Sequence, residues 1–233
     1  MNKVFPDAKS ALHDITDGIS LMCGGFGLCG IPENSIKEAV RRGIKNVHGI
    51  SNNIGNSGRG MALMLKAHQI SEATCSYIGG NPDLEEQMFA GEVKVNLIPQ
   101  GTFSERIRAA GMGIRAFFTP AGVGTPVAEG KEIREFDIPC MLELPLRADF
   151  AFIKAQRGDT MGNLWFKETA RNFSPLMAMA ATVSIVEVEE LVQPGEIEGE
   201  NVHLPGVFVQ RIYQGHDYDN VIEKAIYSDA EQA

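Results

Sequence analysis

Short apolar runs alternate with segments of helical periodicity along the first half of the chain. Strands are predicted at residues 20–23, 47–51, 73–78, 93–98 and 116–119, and helices between them at 32–43, 61–67, 83–90 and 104–110. Pro32 and Gly43 bound the first helix, because proline favours a first helical turn and glycine the position just past the last. Strands and helices in alternation predict an α/β fold with a mainly parallel sheet covered by helices.

The second half of the chain is less regular. Strands are predicted at residues 150–155, 183–188 and 207–213, with a helix at 175–181 and a long loop at 119–130, where proline and glycine are dense. No internal repeat or low-complexity tract interrupts the pattern. We therefore predict a single domain over residues 1–228, followed by a flexible tail at 229–233.

Composition narrows the function classes. The chain has 233 residues, a hydrophobic fraction of 44% and a formal net charge of −9. An acidic chain without a basic run argues against nucleic-acid and membrane-surface binding. No signal peptide is readable, and no uncharged apolar run approaches the roughly 18 residues of a membrane span. The four cysteines form no CxxC pair, and the histidines lack metal-ligand spacing. We expect a cytoplasmic protein with reduced thiols and no metal.

Residues 25–30, Gly-Phe-Gly-Leu-Cys-Gly, match the GxGxxG pattern of a dinucleotide-binding turn between a strand and a helix. That turn expects an acidic residue about 20 positions later to hold the ribose, and residues 46–53 contain no Asp or Glu. A nicotinamide- or flavin-dependent oxidoreductase and a plain turn without a ligand both stay open. The paired Gly24 and Gly25 favour close approach by a ligand. Glycine loses more backbone entropy on folding than other residues, and a simple turn does not require so many glycines.

Several blocks of sequence occur together in one known family. They are residues 24–33, 51–53, 76–80, 99–102, 105–108, 118–120, 134–136, 170–173 and 186–190. In this order they closely resemble the alpha half of class I coenzyme A (CoA) transferases that act on 3-oxoacids. The resemblance implies a three-layer α/β/α fold in each half, with the active site between an alpha-type and a beta-type half.

The resemblance also implies roles for particular residues. The CoA-binding or oxyanion-stabilising loop would comprise Gly24, Gly25, Phe26, Gly27, Leu28, Cys29 and Gly30. Gln100, Asn52 and Asn53 match positions that face the active site. Side-chain amides suit that place because they stabilise a developing oxyanion without adding charge.

The chemistry implied by the resemblance needs no permanently bound cofactor. CoA and acyl-CoA are substrates, with succinyl-CoA as donor and a 3-oxoacid such as acetoacetate as acceptor; acetate or butyrate in place of succinate is the alternative. The catalytic glutamate would lie on a beta-type partner, in a heterodimer or heterotetramer.

Two departures from the family's pattern bear on these roles. The nucleophile's Ser-Glu-Asn-Gly-like turn is absent, and Glu33 is better explained as a helix-start charge, so the chain alone is expected to be inactive. Residues 55–60 differ from the family's pattern and introduce Arg59, which could bind a carboxylate or phosphate or simply face solvent. A non-catalytic member that binds CoA or a partner without turnover is the third hypothesis.

Overall fold

The computed structural model of the protein describes residues 3–56 and 58–221. Its helices are α1 (Ala8–Ala11), α2 (Glu33–Arg42), α3 (Ala62–Lys66), α4 (Pro82–Phe89), α5 (Gln100–Gly111) and α6 (Ser174–Ala180). Its strands are β1 (Ser20–Cys23), β2 (Val47–Ile50), β3 (Ile70–Cys75), β4 (Lys94–Leu97), β5 (Phe117–Thr119), β6 (Ile133–Glu135), β7 (Pro139–Glu143), β8 (Ala148–Asp159), β9 (Leu164–Trp165), β10 (Ala181–Val192) and β11 (Arg211–Gln214).

The main sheet is parallel along the order β11-β10-β8-β1-β2-β3-β4, and β9 pairs antiparallel with β8. From β1 the chain adds β2, β3 and β4 on one side, whereas β8, β10 and β11 lie on the other side. The order therefore reverses between β1 and β8. In open α/β sheets ligands bind outside the carboxyl ends of the strands at such a switch point.

Helices cover both faces of the main sheet. Along β1, Leu21 and Cys23 belong to a core with residues of α1 to α4, whereas Met22 belongs to a second core with residues of α5 and α6. The same alternation places Phe152 of β8 in the first core and Ile153 in the second. Because alternate side chains of a strand point to opposite faces, these two cores make the fold three-layer α/β/α, as predicted.

A second, smaller sheet corrects one expectation. The predicted strand at 116–119 forms as β5, but it pairs antiparallel with β7, and β7 pairs antiparallel with β6. It therefore does not extend the parallel sheet. The strands β6 and β7 were not predicted, because strands of three and five residues carry little periodicity.

The strand predicted at residues 207–213 was wrong at its N-terminal boundary. Residues 207–213 were predicted to form one strand, but Gly206–Phe208 is a 3₁₀ turn and the strand β11 spans Arg211–Gln214. Gly206 packs so closely against the backbone of Met161 that a Cβ there would lie 2.3 Å from the Met161 carbonyl oxygen. That contact sets the turn, and an apolar pattern does not reveal it. The predicted tail at 229–233 lies outside the described residues.

Candidate active site at the glycine loop

The glycine loop, residues 24–30, leaves the carboxyl end of β1 at the switch point. The amide of Gly24 donates to the carbonyl of Phe152 at 2.9 Å, which continues the β1–β8 pairing by one residue. Beyond it, Gly25, Gly27 and Gly30 have φ angles of 121°, 58° and 71°. Side chains other than glycine rarely adopt such angles, so the glycines let the chain turn tightly here.

Most amide groups of the loop donate within the protein. The amides of Phe26 and Cys29 donate to each other's carbonyl at 3.1 and 3.0 Å and close a small hairpin. The amides of Gly25 and Gly27 donate to asparagine side chains. Among the described residues, the loop amides without an acceptor are those of Leu28 and Gly30. These two N–H groups are the ones that the loop can offer to an anionic ligand.

The structure brings Asn52, Asn53 and Gln100 together beside the loop. Gln100 donates from Nε2 to Asn52 Oδ1 at 2.8 Å, and Asn52 donates from Nδ2 to Asn53 Oδ1 at 3.3 Å. The same Asn53 oxygen accepts the amide of Gly27 at 3.0 Å. Asn52 and Asn53 are buried, whereas Gln100 is exposed. One chain of hydrogen bonds therefore runs from the surface to the tip of the loop.

Sheet topology explains this meeting of distant residues. Asn52 follows β2, Ser76 follows β3 and Gln100 follows β4, and these three strands are neighbours in the sheet. Ser76 donates from Oγ to Asn52 Oδ1 at 2.9 Å. The carboxyl ends of parallel strands lie at one edge of a sheet, so residues just beyond them converge there.

On the opposite side the loop rests on Asn172, a residue without a role predicted from the sequence. Asn172 accepts the amide of Gly25 at 3.0 Å through Oδ1 and donates from Nδ2 to the Cys29 carbonyl at 3.1 Å. It lies just before α6, far from the loop along the chain. The family resemblance marks the block 170–173, but periodicity does not show that its asparagine reaches the loop.

The helix after the loop is already occupied by a carboxylate of the protein. Glu187 of β10 is fully buried and accepts the amides of Asn34 and Ser35, in the first turn of α2, at 3.1 and 2.7 Å. Burial raises the pKa of Glu187 above its ordinary value. In a dinucleotide-binding turn the pyrophosphate sits at this helix start. Here those amides are taken, which argues against the oxidoreductase alternative.

A cleft of about 510 Å³ opens on the side of the loop that carries Leu28 and Gly30. Its lining includes Leu28, Cys29, Gly30, Ile31, Glu33, Lys154, Gln156, Phe166, Lys167, Thr169, Glu189 and Asn220. The two amides without an acceptor thus belong to residues of the cleft wall. Asn52, Asn53 and Gln100 do not line this cleft, so the loop separates the amide network from it.

Lys154 and Glu189 form an ion pair inside the cleft. Lys154 is buried; its Nζ lies 2.9 Å from Glu189 Oε1 and donates to the side chain of Asn220. Although burial opposes the shift, hydrogen bonds from Lys154 and Gln156 hold the pKa of Glu189 below its ordinary value. The exposed Lys167 at the rim carries no ion pair among the described residues. It is a cation that a ligand's phosphate or carboxylate could meet.

The structure also places Glu33, the last residue of the matching block 24–33, and Arg59, which departs from the family's pattern. Glu33 is buried at the start of α2 and accepts the amides of Asp219 and Asn220 at 3.0 and 3.1 Å. This fits the predicted helix-start role, with the addition that Glu33 also holds residues 219–220. Arg59 is exposed in a turn closed by its backbone bonds to Asn56, and it lines a small groove shared with Leu28.

Metal-binding clusters and membrane-spanning helices do not occur in the described part of the chain. Residues 3–56 and 58–221 contain no group of three or more His, Cys, Asp and Glu side chains placed to hold a metal ion. No helix within these ranges is long and apolar enough to cross a membrane.

Comparison with known proteins identifies the family. Residues 5–215 match the family described as coenzyme A transferase, and the chain belongs to that family. It is 48% identical over 225 residues to a succinyl-CoA:3-ketoacid coenzyme A transferase subunit from Helicobacter pylori strain J99, covering 96% of this chain and 97% of that protein. A human mitochondrial succinyl-CoA:3-ketoacid coenzyme A transferase is 42% identical, and the match covers 95% of this chain and 47% of the human protein.

Solved structures show the same fold. An acyl-CoA transferase from Escherichia coli O157:H7, in a thioester complex with CoA, superposes with a TM-score of 0.85 at 20% identity, over 97% of this chain and 50% of that one. Glutaconate coenzyme A-transferase from Acidaminococcus fermentans gives a TM-score of 0.81 at 17% identity, over 91% of this chain and 75% of that one. The family match and the curated relatives show that the protein is a coenzyme A transferase, as the resemblance implied.

Proposed function

We propose that the chain is the alpha-type subunit of a transferase that moves CoA from succinyl-CoA to a 3-oxoacid such as acetoacetate. The relatives named for this reaction support the substrates, and their bacterial members are named as single subunits, which supports a separate partner that carries the remaining half of the site. The human relative of about twice the length fits one chain that contains both halves. A cytoplasmic location and a single domain over residues 1–228 stay predictions of the sequence.

The observation that carries the proposal is the hydrogen-bonded path from the exposed Gln100 through Asn52 and Asn53 to the loop amide of Gly27. Only one hydrogen of the Gln100 Nε2 group is used by Asn52, so the other is left for a substrate. Thioester attack places negative charge on a carbonyl oxygen, and each fixed amide donor stabilises such an oxyanion by about 3 kcal/mol. The path holds that donor in place without adding a charge to the site.

The reaction that fits this site is covalent carboxylate catalysis. A glutamate of the partner attacks the thioester carbonyl, the C–S bond breaks, and CoA leaves as the thiolate while an acyl-glutamyl anhydride forms. The thiolate then attacks the glutamyl carbonyl, which releases the donor acid and leaves glutamyl-CoA. The acceptor carboxylate reverses these steps and departs as acyl-CoA. The net reaction exchanges one thioester and one carboxylate for another thioester and another carboxylate, so it consumes no oxidant and no ATP.

Thioester exchange by the reconstituted complex tests the proposal. The chain is co-purified with a beta-type partner, and acetoacetyl-CoA formation from succinyl-CoA and acetoacetate is followed with and without that partner. We expect turnover by the complex and none by the chain alone. A panel with acetyl-CoA and butyryl-CoA as donors distinguishes the alternative substrates. Robust turnover by the isolated chain would contradict the assignment of the nucleophile to the partner.

Intact-mass spectrometry locates the covalent intermediate independently. The complex is incubated with succinyl-CoA without acceptor, and the masses of both polypeptides are measured. We expect the CoA adduct on the partner and an unmodified mass for this chain. Subsequent treatment with hydroxylamine, which cleaves thioesters, should remove the adduct. An adduct on this chain would place the nucleophile here after all.

A further inference from the structure

We propose that Asn172 is a positioning residue that holds the glycine loop in the conformation that presents its free amides to the reacting thioester; the inference rests on the proposed function. The Asn172 side chain contacts both limbs of the loop. Its Oδ1 accepts the amide of Gly25 at 3.0 Å, and its Nδ2 donates to the carbonyl of Cys29 at 3.1 Å. These contacts lie at the two ends of the hairpin that Phe26 and Cys29 close, so one amide group sets the spacing of the loop's ends.

Asn172 is itself fixed from its own segment. Its Oδ1 also accepts the amide of Phe173 at 2.7 Å, and its Nδ2 also donates to the carbonyls of Ala170 and Thr169 at 3.1 and 3.3 Å. Both polar atoms of the side chain are therefore engaged on the loop and on the support beneath it. Because the Asn172 side chain is bonded to both segments, it fixes the position of the loop relative to residues 169–173.

Close packing shows that the loop and its support are matched in shape. A Cβ on Gly30 would lie 2.6 Å from the Ala170 carbonyl oxygen, and a Cβ on Gly24 would lie 2.5 Å from Ser174 Oγ. Real Cβ contacts are not that short, so a side chain at either position would displace its neighbour, which at Gly24 is a serine hydroxyl and at Gly30 is backbone. The approach brings the Gly30 amide, which has no acceptor among the described residues, to a fixed place in the cleft wall.

The backbone conformation of Asn172 indicates that asparagine is present for its side-chain hydrogen bonds and not for the shape of the turn. It has φ 24° and ψ −121°, a conformation that glycine adopts far more readily than asparagine. Were this position only a turn, glycine would serve it better. Asparagine at a strained position beside a functional loop indicates that the hydrogen bonds offset the strain.

The variant Asn172→Gly separates the contribution of the side-chain hydrogen bonds from that of the backbone turn. It keeps the turn and relieves the backbone, but it removes every side-chain bond to the loop. We expect kcat of the reconstituted complex to fall at least tenfold, with KM for succinyl-CoA changed less than threefold, because the loop's donors act mainly on the transition state. The melting temperature of this chain should stay within a few degrees of the wild-type value.

Asn46→Gly is the matched control. Asn46 also has a positive φ, of 58°, but it is exposed and makes no side-chain hydrogen bond among the described residues. We expect wild-type kinetics from it. The alkylation rate of Cys29, measured in the isolated chain, reports loop mobility directly, and Asn172→Gly should raise it severalfold while Asn46→Gly leaves it unchanged.

The outcomes separate this inference from the proposed function. Wild-type kcat and an unchanged Cys29 rate in Asn172→Gly would overturn the positioning role. So would a collapse of the melting temperature, which would make Asn172 a general stability residue. A wild-type complex without thioester exchange would instead refute the proposed function, and the Cys29 rate would still test how Asn172 holds the loop.

Discussion

Gln100 and Asn52 are joined by a 2.8 Å hydrogen bond from Nε2 to Oδ1, although 48 positions separate them in the chain. The acceptor is buried and the donor is exposed at the first residue of α5. The buried partner fixes the orientation of a side chain that would otherwise sample several rotamers. An exposed amide held by a buried one is suited to meet a substrate.

Replacing Gln100 tests that role. Gln100→Ala removes one oxyanion donor, and we expect kcat/KM of the reconstituted complex to fall by about 10²–10³. Gln100→Glu should fall further, because its carboxylate would face both Asn52 Oδ1 and the developing negative charge. Initial rates of thioester exchange measure both effects. The exposed Gln193, in the loop after β10, supplies the control Gln193→Ala, which should match the wild type; equal rates for Gln100→Ala would favour the binding-only hypothesis.

A pair of glycines separates backbone strain from steric clash. Gly30 and Gly43 have nearly the same φ, 71° and 68°, but a Cβ at Gly43 meets nothing within 4 Å whereas one at Gly30 lies 2.6 Å from the Ala170 carbonyl oxygen. We expect Gly43→Ala to cost about 1 kcal/mol of unfolding free energy and to leave activity unchanged.

Gly30→Ala carries the same strain and the clash as well. We expect it to cost roughly 2–3 kcal/mol and to lower kcat more than tenfold, because the loop must move away from its support. Chemical denaturation of this chain and rates of the complex provide the two measurements. Equal stability and activity for the two variants would show that the contact with Ala170 has no consequence.

Glu187 gives the stability of the fold a pH dependence. Burial raises the pKa of this carboxyl, although the hydroxyls of Ser35 and Tyr213, which donate to Oε2 at 2.8 and 2.9 Å, oppose that shift. A raised pKa means that the folded state binds more protons than the unfolded state. The stabilisation is complete below the unfolded pKa and declines as pH rises through the folded one.

Glu187→Gln mimics the protonated carboxyl and cannot titrate. We expect its free energy of unfolding, relative to the wild type, to become more favourable as pH rises above the ordinary glutamate range. Urea unfolding at several pH values between roughly 5 and 8 measures the difference. Glu86→Gln, on the exposed face of α4, should show no such trend. A constant difference between Glu187→Gln and the wild type across this range would contradict the prediction.

The thiols should react in an order set by burial. Burial raises the pKa of Cys23, and it raises the pKa of Cys75 to about 11; Cys140 is buried as well. Cys29 is half-buried in the cleft wall. Because the thiolate is the reactive form, we expect a single fast-reacting thiol at about pH 8.

Substitution identifies that thiol. Cys29→Ser should abolish the fast phase of a chromogenic thiol titration, while the slow phases persist. Alkylation of Cys29 should also block thioester exchange, and excess succinyl-CoA should slow the alkylation, since the cleft would then be occupied. Persistence of the fast phase in Cys29→Ser would assign it to another cysteine.

Sequence by itself determined the layered α/β fold, because alternating strands and helices are a local pattern and the apolar periods of each are distinct. The tight turn at the glycine loop could also be predicted from the sequence, since the positive φ angles of its glycines are a local requirement. The small sheet of β5, β6 and β7 was not predicted, and the strand at 207–213 began too early, because short apolar stretches do not reveal their partners.

Only the tertiary structure decided what surrounds the glycine loop. The resemblance had marked Asn52, Asn53 and Gln100, but their hydrogen bonds exist because β2, β3 and β4 end at one edge of the sheet. Asn172 and Glu187 reach the loop and the start of α2 from the other half of the chain, at separations of 147 and 152 residues. No pattern of nearby residues encodes such contacts, because they arise from the order in which the strands pack. The same packing placed the Glu187 carboxylate at the start of α2, which argues against dinucleotide binding at a turn that matches GxGxxG.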